Sequence, residues 1–331
     1  MKRKMVSLVL ICVFILCGCV GDTTESETGE KKCEKEIYAM DTIMELTIYG
    51  SNASSVMNDA VALIQRYDKT FSVTNAESDV AKLNESGGKP IPVSAETYEL
   101  IRKSLAISEE TGGLFDISIY PLVREWGFTT GEYRIPSEKE RQTALSKVDV
   151  SKIKVLQDNK VQLEPDMEID LGAVAKGYLS QQLMNLFREK NIDSAIVSLG
   201  GNVQALGKKE DGTPFVVGIT DPLDGSSLYG TVQVEDKAVI TSGIYQRYFE
   251  KDGKRYHHIM DKRTGMPAEN TLASVTVISE DGAKADALAT ALYVMGEDEA
   301  KAFQKNHPEI EIILIRKDGS YWQSEGAGMA K

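Results

Sequence analysis

Along TIMELTIYG, Met44, Leu46 and Ile48 alternate with Glu45, Thr47 and Tyr49, the two-residue period of a strand with one buried face. The period then changes: Val56, Met57, Ala60, Val61, Ile64 and Tyr67 recur at three and four, predicting a helix of about four turns. Residues 95–111 repeat that spacing with Ser94 as N-cap and Gly112-Gly113 as the stop, and Ser137 with Glu140 makes a capping box for a third helix. KVLQDNKVQLE is two alternating runs around Asp158-Asn159, hence a hairpin. DSAIVSLGG, FVVGIT, AVITSG, ASVTVIS and EIILIRKDGSYWQ are further strands, interrupted by two long helices near 173–190 and 284–296. Several connections are short, which favours antiparallel neighbours. The expected fold is α+β, with twisted, largely antiparallel sheets and packed helices.

The N-terminus departs from this patterning. MKRKMVSLVLICVFILCGCVGD places three basic residues before an apolar run too short to span a bilayer comfortably, so 1–18 reads as an export signal. A branched apolar residue, a small one and glycine ahead of a cysteine form a lipoprotein processing site, with cleavage after Gly18 and lipid on Cys19. The alternative is a plain secretory signal cut elsewhere. Residues 19–36 carry almost no apolar side chains and read as a solvated tether, and 37–331 as the folded domain. The expected location is the extracytoplasmic face of the cell membrane, anchored by lipid. Cys12 and Cys17 leave with the signal, so only Cys33 stays free and no disulfide framework exists. The formal net charge is −12, and −15 without Lys2, Arg3 and Lys4; the acids are scattered, which argues against a nucleic-acid surface. An anionic ligand would need a cation or aimed backbone N–H groups to bind such a chain.

Four stretches carry candidate chemistry. In EIDLGAVAKGYLSQQLMNLF, Asp170 ends a short strand and a helix starts near Ala173; its N–H groups, its dipole and Lys176 could receive phosphate, or Asp170 could cap an ordinary strand-to-helix corner. SLGGNVQALG offers Gly200-Gly201 for close ligand approach, or merely a tight turn. In AKADALATALYVMG, Asp286 and Thr290 stand one turn apart on one face, a hard-oxygen pair suited to Mg²⁺ and not to zinc, or an acid near a helix N-terminus with a back-bonded threonine. In RYHHIMDKRTGMP, adjacent His257 and His258 on a strand face opposite sides, so one faces any site there. Asp261 and the Thr264-Gly265 turn then make a His-x-x-Asp corner that could orient a ligand or move a proton, or a hydrogen-bonded hairpin end.

In order, MDT at 40–42, GGLFDIS with PLVREWGF at 112–128, DLGAVAKGY, SLGGN, ITSGIYQRYF, YHHIMDKRTGMP and DALATALYVMG resemble the ApbE family, the FAD:protein FMN transferases. The resemblance spans essentially the whole exported domain. It implies a Mg²⁺-dependent reaction in which FAD is cut at its diphosphate, AMP leaves, and FMN is joined as a phosphoester to a threonine or serine of another exported protein. In the family pattern Met40, Leu114, Phe115, Asp116, Asp170, Lys176 and Met260 match FAD-contacting positions. The Ala173 carbonyl, Asp286 and Thr290 match the magnesium ligands, and His258 matches a histidine with a catalytic part; either Asp286 or His258 would receive the acceptor's proton. The implied acceptors are flavin-carrying subunits of Rnf-type or Na⁺-translocating quinone reductase complexes, or extracytoplasmic flavoproteins.

Two departures stand out. Lys262 follows Asp261 where members often have proline, and Thr74 stands where they often carry an aromatic close to the flavin nucleotide, a change associated with FAD hydrolysis. The alternatives to transfer are therefore an FAD pyrophosphatase yielding FMN and AMP, or a non-catalytic flavin-binding lipoprotein.

Overall fold

The structure is a computed structural model that describes residues 32–331; the leader, Cys19 and the tether up to residue 31 lie outside the described residues. Among the described residues no helix is long and apolar enough to cross a membrane. An eight-stranded sheet runs in the order Lys32–Ala39, Thr42–Tyr49, Ser194–Leu199, Asn202–Leu206, Ala238–Gly243, Leu272–Ser279, Glu311–Arg316, Tyr321–Gln323, and every neighbouring pair is antiparallel. The α+β expectation, with antiparallel sheets and packed helices, matches this arrangement.

The first strand begins at Lys32, so Lys32–Glu36, given above to the tether, pair with Thr42–Tyr49 instead. That strand lies at the sheet edge and is mostly exposed; Cys33, Ile37 and Ala39 turn toward the core, but Lys35 interrupts their row, so the alternation is broken. Cys33 sits in it opposite Ile48.

Both faces of the sheet centre are covered. On one, the Ala175–Glu189 and Gly282–Met295 helices pack with Ile240, Val275, Val277, Ile312 and Leu314. On the other, a separate hairpin of Phe215–Thr220 and Leu228–Val234 packs with Val239, Ile278, Ile313 and Ile315. Double coverage explains why Leu272–Ser279 is buried at every position, Ser274 and Thr276 being enclosed along with the apolar residues between them. The Gly282–Met295 helix is apolar almost all round because it is enclosed by the sheet and three helices.

Local expectations are met at several helix starts. The Ser94 hydroxyl accepts from Thr97 N–H, and both bonds of the Ser137/Glu140 box are present. Asp158 and Asn159 take left-handed conformations between Lys154–Leu156 and Lys160–Gln162. The helix expected near Ala173 starts at Ala175 instead. Its N-cap residue, Val174, supplies no side-chain bond, and Asp170 accepts from Gly172 N–H rather than capping the helix. Of the first-turn N–H groups, that of Ala175 goes to the Leu171 carbonyl and that of Gly177 to Asp286, so among the described residues only the N–H of Lys176 is left for an anion.

A third apolar cluster, of Leu122, Trp126, Phe128, Ala144 and Met260, takes in Phe249 and Tyr256 from a small hairpin, Tyr248–Lys251 with Lys254–His257. Trp126 Nε1–H donates to Gly265 O at 3.0 Å, tying this cluster to the turn beyond that hairpin.

Candidate functional site

These elements meet around a cavity of about 470 Å³, and the positions matched above to flavin contact, metal or catalysis line it: Met40, Thr74, Leu114, Phe115, Asp116, Asp170, Ala173, Lys176, His258, Met260, Asp286 and Thr290. The motifs come from opposite ends of the chain. Met40 and Asp41 form the turn between the first two strands, both at positive φ, with Met40 N–H donating to Asp68 Oδ1 at 2.7 Å. Gly200 and Gly201 make the turn into Asn202–Leu206, also at positive φ. A Cβ on Gly200 would overlap the Thr42 side chain, so turn geometry and the approach of two loops both demand glycine there. The two alternatives left open for this pair hold together, because Gly200 also lines the cavity.

At the deep end lies Asp286, 5% exposed. Its Oδ2 accepts the N–H of Gly177 at 2.9 Å. In a regular helix that N–H would go to the carbonyl four residues back, Ala173; the diversion leaves the Ala173 carbonyl without a backbone partner. Two oxygens named separately from the sequence are thus linked through one N–H. The helices reach this position because Gly177 and Gly282 touch where they cross. Thr290, one turn on, has its hydroxyl 3.2 Å from that of Ser242, which lies in the sheet. Asn202, beside Asp286, has a buried Nδ2 with no hydrogen-bond partner.

Burial raises the Asp286 carboxyl above its usual range, partly offset by the charge of Lys176, the Gly177 N–H and Asn202. Asp170 is raised for the same reason and offset by Gly172 N–H, Arg247 and Lys176. Among the described residues Lys176 pairs with no carboxylate within salt-bridge distance, so its charge is available to a ligand. A carboxylate, a hydroxyl and an open carbonyl form an all-oxygen set that fits Mg²⁺.

The cavity wall contains a pair that sequence spacing could not reveal. Lys262 Nζ lies 2.7 Å from Asp116 Oδ2, whose side chain is 2% exposed, while Asp116 Oδ1 caps the Ile117–Ile119 turn through Ser118. The residue that departs from the family pattern therefore neutralises a buried acid in the cavity wall. Asp261, by contrast, spends its carboxylate on the N–H and guanidinium of Arg263 and does not line the cavity. It shapes the corner and faces no ligand.

The histidines divide as strand geometry requires. His258 lines the cavity; its N–H donates to the Arg247 carbonyl at 3.1 Å and its Nδ1 lies 3.1 Å from the same oxygen. A carbonyl only accepts, so Nδ1 carries the proton and Nε2 is the open nitrogen. Crowding by protein atoms pushes His258 down to about 4, leaving it neutral at pH 7. His257 points the other way, 5% exposed, edge-on to Tyr293, and burial pushes it down to about 4 as well.

His257 makes stability pH-dependent. The unfolded chain takes up a proton near 6.5 and the folded chain only near 4, so stability is full above 6.5 and lost as pH falls toward 4. That loss is on the order of 3 kcal/mol. In urea titrations, His257→Leu is expected to flatten the fall between pH 6.5 and 4.5; an unchanged slope would show that His257 is not the group responsible.

Known proteins resemble this chain along nearly its whole length. Residues 40–314 match the ApbE family. The FAD:protein FMN transferase of Klebsiella pneumoniae (strain 342) is 33% identical over 273 residues, covering 81% of this chain and 84% of that protein. That of Treponema pallidum (strain Nichols) is 32% identical over 339 residues, covering 96% and 92%. The crystal structure of the ApbE protein of Thermotoga maritima superposes with a TM-score of 0.84 at 32% identity, covering 89% of this chain and 97% of that one.

Proposed function

The chain belongs to the ApbE family, and from that premise we propose that it is a Mg²⁺-dependent FAD:protein FMN transferase acting on exported proteins. The observation that carries the proposal is that Asp286, Thr290 and the Ala173 carbonyl, which has no backbone partner among the described residues, line one cavity together with Met40, Leu114, Phe115 and Met260. Capture of a flavin alone gives no reason for such a hard-oxygen set.

In this reading Asp286, Thr290 and the Ala173 carbonyl hold the ion, which when bound neutralises diphosphate oxygens. The Lys176 ammonium, with the one first-turn N–H that has no partner among the described residues, its own, faces the same oxygens. The acceptor's hydroxyl oxygen bonds to the FMN-side phosphorus as the bridging P–O bond breaks, and AMP departs with that bond's electrons. The hydroxyl proton passes to His258 Nε2, the nitrogen that the Arg247 carbonyl leaves free and that is unprotonated at neutral pH. Asp286 is the less suitable acceptor, since its carboxylate is engaged by Gly177 and by the ion. Acceptors of the Rnf or Na⁺-translocating quinone reductase kind, and a lipid anchor on Cys19 holding the enzyme at the outer face of the membrane, complete the proposal.

One observation favours hydrolysis as a second activity. Thr74 is exposed at the cavity and carries a small side chain, so water has a route that an aromatic would obstruct. Incubation with FAD, Mg²⁺ and a co-expressed Rnf-type subunit is expected to add the mass of FMN to one threonine, and chelation to abolish the addition. AMP released steadily without any acceptor would make hydrolysis the main activity. Transfer that survives chelation would end the metal-dependent reading.

A further inference from the structure

The Tyr248–Lys251/Lys254–His257 hairpin has a second concavity on the side away from the flavin cavity, of about 340 Å³. One wall is the whole strand Lys254–His257; Met266, Glu269 and Lys317 stand among the residues around it. None of its lining residues lines the flavin cavity.

Two features of this groove are unsatisfied. Among the described residues the strand has a neighbour on one side only. The His258 N–H to Arg247 O bond continues the ladder as a hydrogen-bonded pair, so Tyr248/His257 and Glu250/Arg255 are non-bonded pairs, and the N–H and C=O of Arg255 and His257 turn away from the partner strand. The second is charge. Lys254 is taken by Glu269 at 2.6 Å and Arg255 by Glu250 at 3.2 Å, whereas the Lys317 ammonium has no carboxylate partner among the described residues and only the Asn270 carbonyl, at 2.7 Å.

We propose that this groove docks an extended, acidic segment of the acceptor protein, which joins the hairpin as a third strand and sets a carboxylate against Lys317. The proposal rests on the transferase reading above. A small free anion fits less well, since it would leave the strand edge unpaired. An extended peptide answers both features: its main chain pairs with Arg255 and His257, and an acid meets Lys317. Because His257 and His258 face opposite sides of one strand, the docked segment lies across the hairpin from the reacting diphosphate. The hydroxyl that receives FMN must then lie outside the docked stretch, so recognition and modification use different parts of the acceptor.

The test uses the full chain with FAD bound and a fluorescent peptide of alternating Asp and Thr, about ten residues long, a length that spans a strand edge of this kind. Anisotropy is expected to report binding that weakens by about tenfold when the peptide's main-chain nitrogens are methylated at alternate positions, through lost hydrogen bonds. Replacing its Asp by Lys, or making the exposed substitutions Lys317→Glu and Arg255→Glu in the enzyme, should cost about tenfold through charge, with FAD affinity unchanged. The same substitutions should raise KM for a protein acceptor and leave kcat as it was. No binding, or binding indifferent to methylation and to both substitutions, overturns the groove. A chain that binds the peptide in this way yet transfers no FMN overturns the transferase reading alone.

Discussion

Asp286→Asn is expected to lower FMN transfer by on the order of 10³-fold, the loss that follows removal of a group stabilising charge in the transition state. The amide keeps one oxygen for the Gly177 N–H, so the bond at 2.9 Å and the helix crossing should survive. What disappears is the negative charge facing the ion. FAD binding without Mg²⁺, followed by flavin fluorescence, should hold or tighten, since one anion fewer faces the diphosphate. The Mg²⁺ concentration for half-maximal rate should rise. Stability should move the other way from activity: burial raises the Asp286 carboxyl above its usual range, so the folded state binds its proton more tightly than the unfolded state does, and the ionised group destabilises the fold at pH 7. Removing the charge should raise the urea midpoint. A variant that turns over within about tenfold of the parent at the same Mg²⁺ would remove Asp286 from the site, because that is less than one lost charge-stabilising contact costs.

The same carboxylate marks how far residue pattern reaches. Asp286 and Thr290 could be paired from the sequence because a helix fixes which residues share a face at four-residue spacing, and His257 and His258 could be separated because a strand fixes which do not. The strand-to-helix corner at Asp170 was visible as a break in period. Contacts between distant segments left no such trace. Nothing near Lys262 announces that its partner is Asp116, 146 residues away, and nothing near Asn202 announces Asp286. The diversion of the Gly177 N–H from Ala173 to Asp286 is a consequence of two helices crossing, and neither helix encodes it alone. At the other end, Lys32–Glu36 resemble solvated tether because Cys33 is the one apolar side chain among them and Lys35 breaks the inward row from Cys33 to Ile37; their place comes from backbone pairing with Thr42–Tyr49. The groove behind His257 was hidden for a related reason, since an unpaired edge is defined by what is not beside it.

Gly177→Ala tests whether that crossing builds the site. Helix propensity by itself predicts a gain, since alanine in a helix is favoured over glycine by about 1 kcal/mol. The structure predicts the opposite sign. A Cβ at Gly177 would overlap the Gly282 carbonyl oxygen and come within 2.6 Å of Asp286 Cβ, and Gly282 makes the reciprocal approach to Gly177. Neither neighbour is the free end of a flexible side chain, so the helices themselves must part. Overpacking of this kind costs about 1–3 kcal/mol, which should appear as a lower urea midpoint. Activity should fall further than stability. Separation of the helices withdraws Asp286 from the Gly177 N–H and shifts it relative to Ala173, and a displacement of about 1 Å at a reacting centre is enough for a loss near 10²-fold. Lower kcat in a sample still folded by circular dichroism, with little change in FAD affinity at the Phe115 and Met260 end, would locate the damage at the ion-binding end. If Gly177→Ala instead raises the midpoint and keeps full turnover, the two helices have room to spare, and the geometry that aims Asp286 into the cavity lies elsewhere.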